Sequence, residues 1–338
     1  LRAMLRNKTG AVLIALQIAF TMTVVVNSYF MIRYATDQMG RASGLVEDEL
    51  FHINSVAYTS DFNAKVSVVN DLNLLRSTPG IKDAVQINSV PLSQGGWGMA
   101  LQHEPGEGEQ AFSTAVYMVD EHGIGTMGVE LIAGENFAAS DIEWRNGRPR
   151  WPPKAIVTEA MAELMFPDAT PHEAVGKTVY IDSNQPVTLI GVVERLQAPW
   201  SGSDAVERSM LVPQMMEWGS TTYLVRTEAG RRDAMMPVIE EALARSNRDR
   251  IIRNNSSMAE TRERSYRDES AIATILLLVM GVLVIITAFG IVGLASFSVN
   301  RRIKQIGTRR ALGATKADIV RYFLIENGII TGIGVVLG

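Results

Sequence analysis

The chain has 338 residues, of which 47% are hydrophobic and 20% charged, with 32 basic residues, 36 acidic residues and no cysteine. The lack of cysteine excludes disulfide scaffolds, thiolate zinc sites and cysteine nucleophiles, and the apolar content excludes a disordered chain. Two uncharged runs stand out: 24 residues between Lys8 and Arg33, and 31 residues between Glu269 and Arg301. As helices they would measure roughly 36 and 46 Å, against about 30 Å for a hydrocarbon core. The composition therefore predicts a membrane protein.

Basic residues beside these runs predict the orientation of the chain. Arg2, Arg6 and Lys8 precede the first run, and seven basic residues follow the second within residues 301–321. Because basic flanks stay on the cytoplasmic side, both outer flanks are predicted to be cytoplasmic and residues 33–270 extracytoplasmic. That segment holds 22 basic and 34 acidic residues, a net charge of −12, which argues against binding to nucleic acid.

The N-terminal residues 1–9 are predicted to be cytoplasmic, and residues 10–32 to form the first membrane helix. Polar side chains inside this helix need hydrogen-bond partners in lipid, so they predict contact with other helices. A polar transport path is the alternative. These side chains are Gln17, Thr21, Thr23, Asn27 and Ser28. Small residues in the later apolar segments predict close helix packing in a bundle, at Gly290, Gly293, Gly328 and Gly332.

Residues 33–256 alternate between strand-like and helix-like stretches, which predicts a large α+β extracytoplasmic domain of two subdomains. Strands are predicted at Leu50–Ala57, Ala84–Val90, Ala111–Val119, Ala155–Thr158, Thr178–Ile181, Val187–Leu196, Met210–Val212 and Thr222–Thr227. Helices are predicted at Ala64–Arg76, Glu159–Phe166 and Arg231–Ser246. Residues 93–98 and 145–153 are rich in turn-forming residues and are predicted to be surface loops.

A capping box formed by Ser257 and Glu260 predicts the start of a further helix. No proline follows before Val299, so this helix is predicted to run without a break through a stalk, residues 257–270, into the second membrane helix, residues 271–299. A rigid stalk of this kind would carry movement between the membrane and the outer domain. The alternative is a separate surface helix that ends near Asp268.

Motifs for catalysis and metal binding are weak. The four histidines, His52, His103, His122 and His172, lie far apart in the sequence and lack the spacing of a zinc protease helix. The Gly176-Lys177-Thr178 run ends like a phosphate-binding loop, but Pro171 stands where that loop needs a glycine. No catalytic residue, cofactor site or metal site is predicted.

Residues 300–326 are predicted to form a cytoplasmic pair of helices. A basic first helix ends at Gly313, and Thr315 caps a second helix that has Asp318 in its first turn. The second helix is predicted to couple to a cytoplasmic partner by placing apolar residues in a groove of that partner. An interfacial helix resting on anionic lipid is the alternative. The coupling residues are Lys316, Ile319, Val320, Phe323 and Leu324. Residues 327–338 are predicted to begin a third membrane helix that continues beyond the fragment.

This cytoplasmic stretch resembles the signature of the FtsX-like permease family of ABC transporters, R-x-x-E-I-G-x-x-R-A-L-G-A. The resemblance rests on Ile306, Gly307, Arg309, Arg310, Ala311, Leu312, Gly313 and Ala314. Gln305 departs from it, since the signature has glutamate at that position. Residues 77–98, 128–141, 155–181 and 187–196 resemble successive parts of a MacB-type periplasmic core domain.

The resemblance implies a multi-pass permease of the bacterial inner membrane that is not itself an enzyme. It implies a separate cytoplasmic ATPase, a second permease copy in a homo- or heterodimer, and export of a macrolide-, peptide- or siderophore-like substrate. A periplasmic adaptor and an outer-membrane duct are further implied partners. A lipoprotein-releasing or cell-wall-hydrolase-regulating role stays open within the family. A membrane-bound ligand sensor and a membrane-anchored enzyme are more remote alternatives.

Overall fold

The computed structural model describes residues 8–59, 61–145 and 150–338. The chain divides into two compact units, one of residues 41–267 and one that combines the preceding residues with 268–338. Of the predicted cytoplasmic N-terminal segment, residues 1–7 lie outside the described residues.

The helices and strands follow each other in mixed order along the chain. The helices are α1 (Lys8–Met39), α2 (Ala64–Ser77), α3 (Gly123–Met127), α4 (Glu159–Met165), α5 (Pro171–Ala174), α6 (Arg232–Ser246), α7 (Met258–Ser265), α8 (Arg267–Arg301), α9 (Ile303–Ala311) and α10 (Lys316–Leu337). The strands are β1 (Leu50–Ala57), β2 (Ile81–Ile87), β3 (Trp97–Gln102), β4 (Ala111–Val119), β5 (Leu131–Gly134), β6 (Glu143–Arg145), β7 (Lys154–Thr158), β8 (Thr178–Ile181), β9 (Gln185–Val193), β10 (Ser209–Met216), β11 (Ser220–Thr227) and β12 (Arg250–Ser257). Two 3₁₀ turns lie at Glu47–Glu49 and Ala139–Asp141.

The ends of the 41–267 unit build a four-stranded antiparallel sheet in the order β12-β1-β11-β2. Along the chain its elements run β1-α2-β2 and then β11-α6-β12, which is the split βαβ arrangement of ferredoxin-like folds. Strands β3 to β10 are inserted between β2 and β11. The two predicted subdomains are therefore one split subdomain and one inserted subdomain.

The inserted subdomain is an eight-stranded mixed sheet in the order β4-β3-β8-β9-β7-β10-β6, with β5 paired to β9. A further parallel pairing of β10 with β4 closes six of these strands into a ring. Residues on one face of the ring, such as Tyr117 and Leu211, share a core with Leu50 and Leu224 of the four-stranded sheet. Residues on the opposite face pack with α4 in a second core.

The α+β prediction is confirmed, and the predicted loop at residues 93–98 is exposed, although β3 begins at Trp97. The predicted surface loop at residues 145–153 is wrong at Trp151. Trp151 is only 5% exposed and belongs to the core of the inserted subdomain, and the Arg145 guanidinium lies 5.1 Å from the centroid of its ring. Residues 146–149 of that loop lie outside the described residues.

The predicted unbroken helix from Ser257 to Val299 is wrong at Tyr266. The capping box forms as predicted, with Ser257 Oγ 3.1 Å from the Glu260 N–H and Glu260 Oε2 3.0 Å from the Ser257 N–H. However, α7 ends at Ser265, Tyr266 has φ −106° and ψ 18°, and α8 begins at Arg267. Tertiary contacts fix this end, because Arg262 pairs with Glu47 and the Tyr266 side chain is buried.

Among the described residues, three helices of the other unit are long and apolar enough to cross a membrane: Gly10–Met39, Arg267–Arg301 and Lys316–Leu337. The third joins two predicted segments, because α10 runs without a break from the predicted coupling helix into the predicted start of a membrane helix. Ile14, Ile18 and Ile330 form the core between α1 and α10, and Ile291 of α8 packs against it.

Polar contacts link the three helices where the sequence predicted contact between helices. Gln17 donates to the Ile286 carbonyl at 3.3 Å, and the hydroxyls of Thr21 and Thr287 lie 2.7 Å apart. Thr23 donates to the Gly338 carbonyl at 3.2 Å. Helix α1 therefore has direct hydrogen bonds to α8 and to Gly338, which caps the end of α10, whereas Asn27 donates to the Thr23 carbonyl within α1.

The predicted packing glycines divide into two groups. A Cβ added at Gly290 would lie 2.5 Å from Gln17 Oε1, so α1 and α8 approach closely there. A glycine outside that predicted set, Gly334, permits an equivalent approach between α10 and α1, since a Cβ added there would lie 2.9 Å from the Ala15 carbonyl oxygen. The remaining three predicted positions have open space around them in the described chain: Gly293, Gly328 and Gly332.

Candidate functional site

The segment that carries the signature folds into α9, a tight turn and the start of α10. Gly313 has φ +98° in the turn, a conformation that residues with a Cβ rarely adopt. Thr315 then caps α10, since its Oγ1 accepts from the Asp318 N–H at 3.2 Å and Asp318 Oδ2 accepts from the Thr315 N–H at 3.0 Å. The predicted helix stop and helix cap are both confirmed.

An ion pair fixes the entrance to α9 against α10. Arg302 lies between α8 and α9 and donates from both terminal nitrogens to Glu326, at 2.8 and 3.1 Å. The two side chains are only 18% and 14% exposed. A bidentate guanidinium–carboxylate contact is directional as well as strong, so it holds the two helices in one relative position. The sequence analysis did not predict this pair, because its members are 24 positions apart in the chain.

A small cavity of about 100 Å³ lies between α9 and α10. Ile319 and Phe323 of the predicted coupling set line it, opposite Ile306 of α9. Over the same contact, the Arg309 guanidinium lies 4.9 Å from the Tyr322 ring centroid. Ile319 and Phe323 are therefore half-buried and face α9 across this cavity, which leaves them less available to a partner.

Other members of the coupling set point outward. Val320 is 49% and Leu324 67% exposed, and Leu312 in the turn is 84% exposed. Lys316 is exposed beside them. We define Leu312, Val320 and Leu324 as the outward apolar set. The predicted apolar side of α10 is thus divided between a face that holds α9 and a face that is open in the described chain.

The α9–α10 pair is strongly basic. Within residues 300–326 seven basic residues stand against two acidic ones, Asp318 and Glu326, and both carboxylates are engaged in the contacts above. Gly307, Arg310 and Ala311 of the signature are exposed, and Ala314 is half-buried. This surface can attract an acidic protein or anionic lipid.

The described residues contain no group of three or more histidine, aspartate or glutamate side chains placed to hold a metal ion. His52 is the most buried of the histidines, at 8% exposure. The pKa of His52 is lowered from 6.5 to about 4, chiefly by burial and also by the nearby Arg264, with Glu260 opposing the shift. The imidazole is therefore neutral at pH 7.

The lowered pKa of His52 predicts that the 41–267 unit becomes less stable in acid. The unfolded chain takes up a proton near pH 6.5 and the folded chain only near pH 4, so stability is complete above pH 6.5 and falls towards pH 4. The loss is on the order of 3 kcal/mol at most. All five tryptophans lie in the 41–267 unit, so urea unfolding followed by tryptophan fluorescence measures it. His52→Gln should flatten this part of the pH profile, and an unchanged profile would contradict the prediction.

Comparison with known proteins gives two family matches. Residues 11–242 match the model of the MacB-like periplasmic core domain, and residues 277–338 match the FtsX-like permease C-terminal model. The chain is 26% identical over 238 residues to the macrolide export ATP-binding/permease protein MacB of Neisseria gonorrhoeae, covering 67% of this chain and 34% of that protein. It is 26% identical over 282 residues to YknZ of Bacillus subtilis, described as an uncharacterized ABC transporter permease, covering 80% of this chain and 64% of YknZ.

Among solved structures, the extracellular domain of YknZ aligns with a TM-score of 0.38 at 17% identity, over 60% of this chain and all of that one. The periplasmic region of MacB from Actinobacillus actinomycetemcomitans aligns with a TM-score of 0.39 at 15% identity, over 64% and 94%. The chain spans about a third of the length of the MacB relative and about two thirds of YknZ.

Proposed function

This chain belongs to the family of ABC transporter permeases that carry a MacB-like periplasmic core domain and an FtsX-like C-terminal region, and we propose that it works by mechanotransmission. ATP binding and hydrolysis on a separate cytoplasmic ATPase move the α9–α10 pair. The membrane helices pass this motion to the periplasmic domain, which expels substrate without a continuous channel through the membrane.

The observation that supports this proposal best is the construction of the α9–α10 pair. The Arg302–Glu326 ion pair, and the position of Ile319 and Phe323 opposite α9, support a proposal that the two helices move together. The outward apolar set then offers a partner a contact surface, in the manner of a helix in a groove. Because α10 continues as an apolar helix to Leu337, a push at Lys316 reaches the membrane span directly.

The proposed location is the bacterial inner membrane, with residues 33–270 in the periplasm and the α9–α10 pair in the cytoplasm. The chain lacks cysteine, so single introduced cysteines report on topology. We expect Glu107→Cys, an exposed outer-domain site, to react with a membrane-impermeant thiol reagent in intact spheroplasts. Ala317→Cys, exposed at the start of α10, should react only after permeabilisation. Labelling of Ala317→Cys alone in intact spheroplasts would show that the chain has the opposite topology.

The proposed partners are the ATPase, a second permease copy and, in a Gram-negative cell, a periplasmic adaptor with an outer-membrane duct. The proposed substrate is macrolide-, peptide- or siderophore-like. This part of the proposal is supported by the MacB relative, which is named for macrolide export. Lipoprotein release and regulation of a cell-wall hydrolase are the alternatives within the family. A ligand sensor is disfavoured, since α10 of the cytoplasmic pair itself continues as a third helix that is apolar enough to cross a membrane.

The test is reconstitution of the full-length permease with its cognate ATPase in nanodiscs. We expect the permease to bind the ATPase and to alter its rate of ATP hydrolysis, and a macrolide such as erythromycin to alter that rate again. A response to a lipoprotein instead of the macrolide would favour the release alternative. Failure of the permease to bind any ATPase encoded beside it would contradict the proposal.

A further inference from the structure

Residues 41–49, which we name the strap, follow α1 and lead into β1. The strap lies against the inserted subdomain, where the Ser43 carbonyl accepts from the Gln197 N–H at 2.9 Å. Gly44 has φ +85°, and a Cβ added there would overlap the Arg195 carbonyl, so only glycine allows this approach. The beginning of the strap is therefore held by the segment between β9 and β10.

The strap also holds the split subdomain. Arg226 of β11 donates from Nε to Glu49 Oε2 at 2.7 Å, and the Thr227 hydroxyl donates to the Glu49 carbonyl at 3.2 Å. Arg232, at the start of α6, donates to the Glu47 carbonyl at 3.4 Å. The strap is thus fixed to both subdomains, so a displacement of the strap would act on both.

Arg262 joins α7 to the strap. Its guanidinium donates from Nε and Nη2 to the two carboxylate oxygens of Glu47, at 2.8 and 2.5 Å, and from Nη1 to the Arg41 carbonyl at 3.2 Å. The Ser43 hydroxyl donates to the same carboxylate. A bidentate guanidinium–carboxylate contact fixes direction as well as distance. We call this set of contacts the Arg262 clamp.

The clamp carries full charges at pH 7. Burial alone would raise the pKa of Glu47, but hydrogen bonds from Arg262 and Ser43 outweigh burial and hold the pKa below its usual value. The Arg262 and Glu47 side chains are 23% and 20% exposed, so water weakens their attraction only in part. The pair is therefore stronger than an ion pair that is open to solvent.

A second contact fixes the end of α7. Gln94, in the segment between β2 and β3, donates from Nε2 to Ser265 Oγ at 2.9 Å and to Ser201 Oγ at 2.6 Å. Ser265 is the last residue of α7, and α8 begins at Arg267 after the interruption at Tyr266. Helix α7 is therefore attached to the strap by the clamp and to the inserted subdomain at its end.

We propose that Arg262 is a positioning residue for transport, because it makes α7, which leads to α8, and the strap, which follows α1, move as one element. Motion from either of these membrane helices then reaches both subdomains together. This inference rests on the proposed mechanotransmission and adds the point at which motion enters the periplasmic unit. Without the clamp, nucleotide binding should still move the α9–α10 pair, but the periplasmic unit should respond less.

The test is hydrogen exchange measured by mass spectrometry on the full-length permease with its cognate ATPase in nanodiscs, with and without ATP and vanadate. In the unaltered protein we expect nucleotide to change exchange both in α10 and in the backbone of β1 and β11. Arg262→Gln should keep the change in α10 and reduce the change in β1 and β11 about threefold or more. This readout needs no transported substrate, because it follows nucleotide binding alone.

Three further variants separate positioning from stability. Glu47→Gln breaks the same ion pair from the strap and should give the same loss of response. Arg262→Lys, which can still donate to Glu47, should keep part of the response. Arg76→Gln breaks an ion pair outside the strap and α7, in which Arg76 and Asp120 lie 2.6 Å apart with side chains 24% and 4% exposed, and its response should be unchanged. Tryptophan fluorescence checks that each variant is folded.

Failure of this inference differs from failure of the proposed function. If nucleotide changes exchange in α10 but not in β1 and β11 of the unaltered protein, mechanotransmission is wrong and this inference with it. If β1 and β11 respond in the unaltered protein and equally in folded Arg262→Gln, only this inference is overturned. An equal loss in Arg76→Gln would also overturn it, because the effect would then follow from lost stability.

Discussion

Arg250→Ala is expected to lower the free energy of unfolding of the periplasmic unit by about 3–5 kcal/mol, the usual cost of breaking a buried ion pair. Arg250 is 5% and its partner Asp71 2% exposed. Asp71 receives both terminal nitrogens of Arg250, one of them at 2.8 Å, and the Tyr223 hydroxyl at 2.6 Å. Loss of the arginine leaves a charged carboxylate buried in the core. Urea unfolding monitored by tryptophan fluorescence measures the change.

A neighbouring arginine serves as the control for this prediction. Arg245 pairs with Glu241 on the same helix, α6, but their side chains are 77% and 63% exposed. Arg245→Ala should therefore cost less than about 0.5 kcal/mol. The double variant Arg250→Met with Asp71→Leu should recover a large part of the loss, since it removes both buried charges. Losses that simply add in the double variant would contradict this account of the pair.

Replacement of Val320 and Leu324 together by serine is expected to weaken binding of the cognate ATPase about thirtyfold. The two side chains are the part of the outward apolar set that lies on α10, and loss of a central apolar contact can cost about 2 kcal/mol. Surface plasmon resonance of the permease in nanodiscs against the purified ATPase measures the affinity. Arg321→Ser, between them in sequence, should have a smaller effect that fades at high salt.

Phe323→Ala tests whether Phe323 contacts the ATPase directly or holds α10 in position against α9. Because Phe323 lines the cavity against α9, its loss should weaken ATPase binding and also increase hydrogen exchange in α9. The Val320 and Leu324 double variant should leave exchange in α9 unchanged. If that double variant binds the ATPase normally and only its binding to anionic vesicles falls, α10 begins as an interfacial anchor and the coupling assignment is wrong.

The elements with local signals were predictable from the sequence. Leu50–Ala57, Ala111–Val119 and Thr178–Ile181 are correct to the residue, because each is a β-branched or aromatic run between turn residues. Strand β12 was missed, since its centre, Arg253 to Ser256, is polar. It forms because β1 supplies hydrogen bonds along its length, and a local window contains no information about that distant partner.

In the candidate site, too, local features were predictable from the sequence and features that depend on distant contacts were not. The helix cap at Thr315 and the stop at Gly313 depend on a few adjacent residues, so they could be predicted. The division of the apolar side of α10 could not, because it depends on which residues α9 covers. The interruption at Tyr266 was missed for the same reason. The pattern from Ser257 to Val299 permits one helix, and contacts such as Arg262 with Glu47 end it.

The insertion of β3 to β10 between β2 and β11 determines the order in which the periplasmic unit can fold. Leu50 of β1 pairs with Arg226, and Phe51 pairs with Ser257, so the four-stranded sheet depends on contacts between residues far apart in sequence. Such contacts form slowly because long loops must close first. Among the described residues, the inserted strands, residues 97–216, form their ladder hydrogen bonds with each other and with no strand of the four-stranded sheet. As the chain emerges from the membrane, β1 and β2 therefore have no partner strand until the insertion and the strands after it have been exported. During this period their unpaired edges are most exposed to aggregation and proteolysis.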